Sequence, residues 1–272
     1  MSVQTKIAEL VKAYNLLLSG IEQNAINNED RAYGGSVRSE KGTIVENFAK
    51  HIINLAWEQL GMDEKRISLA PKKKSLDLPL NPTYLKNILI PQEVRDYIHN
   101  NITNYIFRVK SDVHVLIDDK LVMAVECKAY AENAMIKRIL TDFTLFKHLE
   151  PNIDCVLFQL ESQLGGDYSD ISKSITYGSN STHTLMSYFD VNLQIITLLQ
   201  GERKVDAPIH KKEFNKKLSK SHLTKVVDFL LICYKSINKK SPHSLTCEGF
   251  FVSKIYFKKQ SNHQSQNPTA IF

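Results

Sequence analysis

Residues 109–128 read Val-Lys-Ser-Asp-Val-His-Val-Leu-Ile-Asp-Asp-Lys-Leu-Val-Met-Ala-Val-Glu-Cys-Lys, two apolar-rich segments joined by a short polar turn. The pattern predicts a β-hairpin, with strands over 103–117 and 121–128. Three charges stand where strands rarely carry them: Asp112 on the first strand, Glu126 and Lys128 on the second. A buried strand tolerates charge poorly unless a metal, a partner or a ligand compensates it. Side chains alternate faces, so Glu126 and Lys128 point one way while Leu121, Met123, Val125 and Cys127 point into a core. With Asp118-Asp119-Lys120 as a three-residue loop, Ile117 pairs with Leu121, and counting back sets Asp112 opposite Glu126. Opposed residues hold their Cβ atoms ~4.5–5.5 Å apart, close enough for two carboxylates to share a divalent ion. A two-residue loop or a bulge would shift this register by one. In the same register Lys110 falls opposite Lys128, and two ammonium groups there make sense beside a phosphate.

The acidic-x-Lys triplet alone is common. It occurs at Asp63-Glu64-Lys65, Asp118-Asp119-Lys120, Glu126-Cys127-Lys128 and Glu202-Arg203-Lys204. Three of these sit in polar, turn-like settings that suit solvated charge. The third follows five apolar residues and has a carboxylate one strand earlier. Asp112, thirteen intervening residues and then Glu126-Cys127-Lys128 resembles the PD-(D/E)xK nuclease superfamily, to which most type II restriction endonucleases belong. Ser111 stands where the family name has proline.

The resemblance implies an α/β protein with a restriction-endonuclease-like core, a central mixed β-sheet flanked by helices. It also implies Mg²⁺, a hard ion that prefers oxygen, on Asp112, Glu126 and the backbone carbonyl of Cys127. Lys128 would then position the attacking water or help deprotonate it.

Upstream, Val45, Phe48, Ile52, Leu55 and Ala56 recur at helical spacing over 40–60, and Gly61 is a plausible stop. Glu46 lies at the edge of that stripe. By the resemblance it would reach the metal site from below; as an ordinary first-turn glutamate it would answer the helix dipole. Gly34, Gly35 and Arg38 read either as a loop whose backbone approaches a phosphate or, equally, as a plain flexible loop.

The chain has 272 residues and 43% hydrophobic letters, enough for one large core. No apolar run approaches the ~18–20 residues of a membrane span. The N-terminus reads as an amphipathic helix rather than a signal peptide. Four cysteines without paired spacing suit a reducing cytoplasm. The net charge of +6 is unevenly spread: residues 201–260 hold 14 Lys and Arg against 5 Asp and Glu. Such a cluster suits a polyanion or, alternatively, makes a solubilising face. Expected DNA contacts are Arg38, Lys72, Lys73, Lys74, Arg108, Lys110, Lys211, Lys212, Lys216 and Lys217.

Residues 1–200 are expected to form the nuclease core with N-terminal helices, 201–260 a basic helical segment packed on it, and 261–272 a disordered tail. Helices are expected over 3–26, 40–60, 93–101, 131–149 and 219–237, with strands at 154–160 and 191–199. Loops are expected at 27–36 and 163–181, and 62–92 reads as an irregular connection bearing four prolines. Helix then strand after the hairpin predicts a parallel crossover.

Three functions fit. The first is a restriction endonuclease cutting double-stranded DNA as a homodimer, with a cognate DNA methyltransferase as functional partner. The second is a repair, junction or other defence nuclease of the same superfamily. The third is a non-catalytic DNA-binding protein with an incidental charged hairpin.

Overall fold

A computed structural model describes residues 1–26, 33–70, 75–87, 89–169, 178–207 and 214–239, with side chains described outside 17–41, 70 and 235–239. Its centre is a five-stranded sheet. The strands are β1 (Ile67–Ala70), β4 (Val113–Ile117), β5 (Lys120–Ala131), β6 (Asp154–Ser162) and β7 (Leu193–Thr197), in the order β1-β4-β5-β6-β7. The β1–β4 and β4–β5 pairs are antiparallel, whereas β5–β6 and β6–β7 are parallel. The mixed sheet is the architecture that the hairpin and crossover predicted. Helix α4 (Asn133–Leu149) supplies the crossover between β5 and β6. Its apolar stripe, Ile136, Ile139, Leu140, Phe143 and Phe146, is buried.

Alternation along β5 sorts the two faces of the sheet. Met123, Val125 and Cys127, with Val156 and Phe158 of β6, pack under α1 (Val3–Ile26), α2 (Tyr33–Gln59) and α6 (Lys220–Lys239). Ala124, Cys155 and Leu157 pack on the other side, against α4 and the half-buried Leu185 and Met186 of α5 (Asn180–Ser187). Leu223, Val226, Val227 and Leu230 of α6 join the first cluster, so the helical part of the basic segment contributes to the central core. Helix α2 stops where the sequence suggested: Gly61 adopts φ +67°, a left-handed conformation that glycine reaches without a Cβ penalty. Just beyond it, the indole of buried Trp57 donates to the Asp63 carbonyl at 3.0 Å.

Several expectations need correction. The strand expected over 103–117 is two strands. Its first half, β3 (Ile106–Val109), pairs antiparallel with β2 (Leu76–Pro79) in a separate two-stranded sheet. The chain breaks at 110–112 and re-enters the main sheet at Val113. The connection over 62–92 therefore carries two strands, β1 and β2, each too short to show a period. Helix α2 begins at Tyr33, inside the expected polar loop, and α5 begins at Asn180, at the end of another.

The hairpin turn also differs. It has two residues, Asp118 (φ 49°) and Asp119 (φ 62°), and Ile117 pairs with Lys120. Positive φ at both central positions is the backbone of the tight hairpin turn that matches strand twist. A register shift between Val115 and Leu116 then leaves Val122 as the extra residue on β5, and Val115 pairs with Met123. The bulge returns the frame that a three-residue loop would have given. From Val115↔Met123 to Val113↔Val125 the pairing is the predicted one. Leu121, before the bulge, packs on the α4 side, not with Met123 as alternation implied, and Val122 packs with Met123 instead.

Candidate active site

Asp112 occupies the break between β3 and β4. Extending the Val113↔Val125 pair by one step sets it opposite Glu126. Its Oδ2 accepts from the Cys127 backbone N–H at 2.8 Å, which fixes the carboxylate beside the second strand. Ser111, in the family's proline position, is buried and its hydroxyl donates to the Val113 carbonyl at 3.3 Å. The Lys128 ammonium is hydrogen-bonded to Glu126 Oε1, and lies 3.7 Å from Asp112 Oδ2 and 3.3 Å from the Cys127 carbonyl oxygen. Three oxygens, one from the β3–β4 break and two from β5, thus surround one cationic point.

Burial pushes the Glu126 carboxyl above its ordinary range, Lys128 pulls it back, and the charge of Asp112 adds to the rise. A buried carboxylate in that position favours additional positive charge. Burial also holds the Cys127 thiol well above its usual range, reinforced by Asp112, Glu126 and Glu46. Cys127 can therefore contribute its carbonyl, not a thiolate.

Glu46 sits on α2 and is nearly buried, with Lys50 donating to its Oε1 at 2.8 Å. Because α2 covers the Cys127 side of the sheet, Glu46 lies beneath the hairpin, not on the face of Glu126 and Lys128. Among the described residues no group of three or more His, Cys, Asp and Glu side chains is arranged to hold a metal ion, so Glu46 is not gathered with Asp112 and Glu126 into one ligand set.

A carboxylate that the sequence reading missed, Asp142, stands on α4, on the Glu126 and Lys128 side of the sheet. Burial raises its carboxyl, while Arg138, 3.8 Å away, and Lys128 lower it. Its signal was available in principle. Asp142 follows Ile139 by three residues and precedes Phe146 by four, which places it at the edge of the face turned to the sheet.

A type II restriction enzyme of Desulfomicrobium norvegicum, DdeI, is 43% identical to this chain over 230 residues, a match covering 83% of this chain and 94% of that protein. The chain belongs to the type II restriction endonucleases. The aspartate and the Glu-x-Lys triplet on the hairpin make it one of the PD-(D/E)xK kind. No family model matches the chain, and no solved structure does either.

For a restriction endonuclease, the cationic residues around this site divide sharply. Arg108 and Lys110 are exposed and line a cleft of about 790 Å³ beside the hairpin, together with Asn104, Phe107, Arg138 and Asp142. Arg108 is 3.7 Å from Asp77. Lys217 is exposed. Lys216 is turned inward: its ammonium donates to the Gly201 carbonyl at 2.7 Å and lies 3.4 Å from Glu161 Oε2. Arg203, counted in the same basic run, is buried and paired with Glu161. These two cations are engaged inside the fold, so the charge count over 201–260 overstates what faces solvent. Lys72, Lys73, Lys74, Lys211, Lys212 and the 261–272 tail lie outside the described residues, as does the side chain of Arg38. The backbone around Gly34, Gly35 and Arg38 belongs to α2, not to a loop.

The contrast between neighbours is testable. Lys217→Gln lowers the slope of log affinity against log salt by ~0.9 if Lys217 neutralises one phosphate. Lys216→Gln leaves that slope alone and lowers the urea midpoint. Equal slopes for both variants and the wild type would remove Lys217 from the DNA surface.

Proposed function

We propose that this restriction endonuclease hydrolyses double-stranded DNA at a specific short sequence with Mg²⁺ held by Asp112, Glu126 and the Cys127 carbonyl. The observation that supports it most is the convergence of those three oxygens on one cationic point, now taken by Lys128. The donor set is all hard oxygen, and two carboxylates against one ammonium leave the cluster net negative. Both properties suit Mg²⁺. Bound there, the ion would supply Lewis-acid stabilisation of charge on the scissile phosphate.

The chain's own groups do the rest. The Cys127 N–H holds Asp112 in one orientation. The Lys128 ammonium, adjacent to the phosphate, orients the attacking water and donates to the oxygen that gains charge. Arg108, Lys110 and Lys217 position the duplex through its phosphates without reading bases. Arg38, Lys72, Lys73, Lys74, Lys211 and Lys212 are further candidates for such contacts. Glu46 is proposed to hold a water or a second ion beneath the hairpin.

Symmetric double-strand cutting needs two such sites, which favours a homodimer. A cognate DNA methyltransferase, protecting host copies of the sequence, is the expected functional partner. The three described cysteines are free thiols, in keeping with a cytoplasmic enzyme. Among the described residues no helix is long and apolar enough to cross a membrane.

Plasmid digestion tests the proposal. With Mg²⁺ the enzyme should give discrete fragments. With Ca²⁺, which accepts looser coordination, it should bind duplex in a gel shift and not cut. Smearing would argue for a nuclease without sequence choice. Full cutting in EDTA would overturn the metal dependence.

A further inference from the structure

Gln159 is wholly buried in β6, and among the described residues its side-chain oxygen has no hydrogen-bond partner. A buried acceptor left unpaired carries its full desolvation cost, so the position calls for an explanation. Its neighbours supply one. Gln159 pairs with Lys128 across the parallel β5–β6 ladder, and partners in a ladder project to the same face. On its other flank, Gln159 Nε2 donates to Thr197 Oγ1 of β7 at 2.9 Å. Strand β6 runs between β5 and β7. An amide whose nitrogen is spent on β7 presents its oxygen away from β7, and the strand on that side carries Lys128.

The site needs such an acceptor. Lys128 now lies against all three oxygens proposed for the metal. A divalent ion bonded to all three oxygens would take the space the ammonium now fills and repel it, so the ammonium has to shift. The lysine stem is flexible and its head can be redirected, but only towards another acceptor.

We propose that Gln159 is a positioning residue that receives the Lys128 ammonium when a divalent ion takes Asp112, Glu126 and the Cys127 carbonyl. The amide oxygen keeps Lys128 charged, ordered and next to the phosphate while the ion occupies its former place. This role rests on the metal reading of the site given above.

The test is a double-mutant cycle read by Mn²⁺ affinity without DNA, following the EPR signal of the free ion. In the Lys128 background, Gln159→Met removes the receiving oxygen and should weaken Mn²⁺ binding about tenfold, the scale of a hydrogen bond to a charged group. In the Lys128→Met background no ammonium has to move, and the same change should leave Mn²⁺ affinity unaltered. A merely structural role would weaken binding equally in both backgrounds, and that result, or no effect in either, overturns the inference. Gln159→Asn keeps a polar amide in the buried site but draws its oxygen back by one methylene. It is read in the same cycle and decides the matter if the Met variant does not fold. Wild-type protein that takes up no Mn²⁺ would sink the metal reading itself. Uptake with a flat cycle would sink the role of Gln159 alone.

Discussion

Asp112→Ala, Glu126→Ala and Lys128→Ala each lower Mg²⁺-dependent cleavage by at least about 10²-fold, the usual loss when one preorganised charge-stabilising group is removed from a site. Lys128 links the two carboxylates, so the double variants should lose little more than the singles. Duplex binding in Ca²⁺ should survive in Lys128→Ala, since that change removes a competitor for the carboxylates. Asp112→Ala has a second consequence, because it orphans the Cys127 N–H at a cost of ~1–3 kcal/mol. Asp112→Asn keeps an oxygen acceptor for that N–H and isolates the chemistry from the fold. Single-turnover cleavage, with urea unfolding alongside, separates the two effects. Wild-type cleavage by any one of the three alanine variants would remove that residue from the site. Glu46→Ala should cost less, about tenfold, as expected for a group acting from outside the ligand set.

The largest effect on stability lies elsewhere. Arg203→Met leaves Glu161 buried with only the more distant Lys216 for compensation, and should destabilise the protein by ~3–5 kcal/mol. Replacing both members, Glu161→Met with Arg203→Met, should cost clearly less, because no uncompensated carboxylate remains. Equilibrium unfolding in urea reads both variants. A single variant no less stable than the double would mean that the pair is not the strut its burial indicates. DNA affinity and its salt slope should be unchanged in any variant that folds, in contrast to what a count of basic residues over 201–260 suggests.

The difference between those two sites shows what the letters carried. The hairpin was legible because charge in an apolar strand is conspicuous, and because period-two alternation assigns each residue a face without further information. Helices α1, α2, α4 and α6 were legible from their apolar spacing, and Gly61 marked a true stop. Glu161 followed the same rule as Glu126, a carboxylate ending an apolar run, and Gln159 sat within that run. Neither announces its role in the letters, since their partners Arg203, Lys216 and Thr197 are distant in sequence. Strands β1 and β2 have four residues each, too few to show a period, and they pair with segments some 30 to 50 residues away. Lys216 and Lys217 are the same letter side by side. Only the packing of the chain around Glu161 tells the internal one from the exposed one.

Val122, the extra residue of the β5 bulge, sets the phase of everything downstream on that strand. It acts as a one-step clutch between the turn and the active site. If Val122 instead paired regularly with Val115, the strand would slip by a single notch, much as a frameshift slips a reading frame. Cys127 would then face the α4 side of the sheet, and Glu126 and Lys128 would face Val125's former neighbours under α2. Every letter of the Glu-Cys-Lys triplet would survive and the nuclease would be gone. For this hairpin the bulge decides the face of the Glu-Cys-Lys triplet as surely as the letters decide its chemistry.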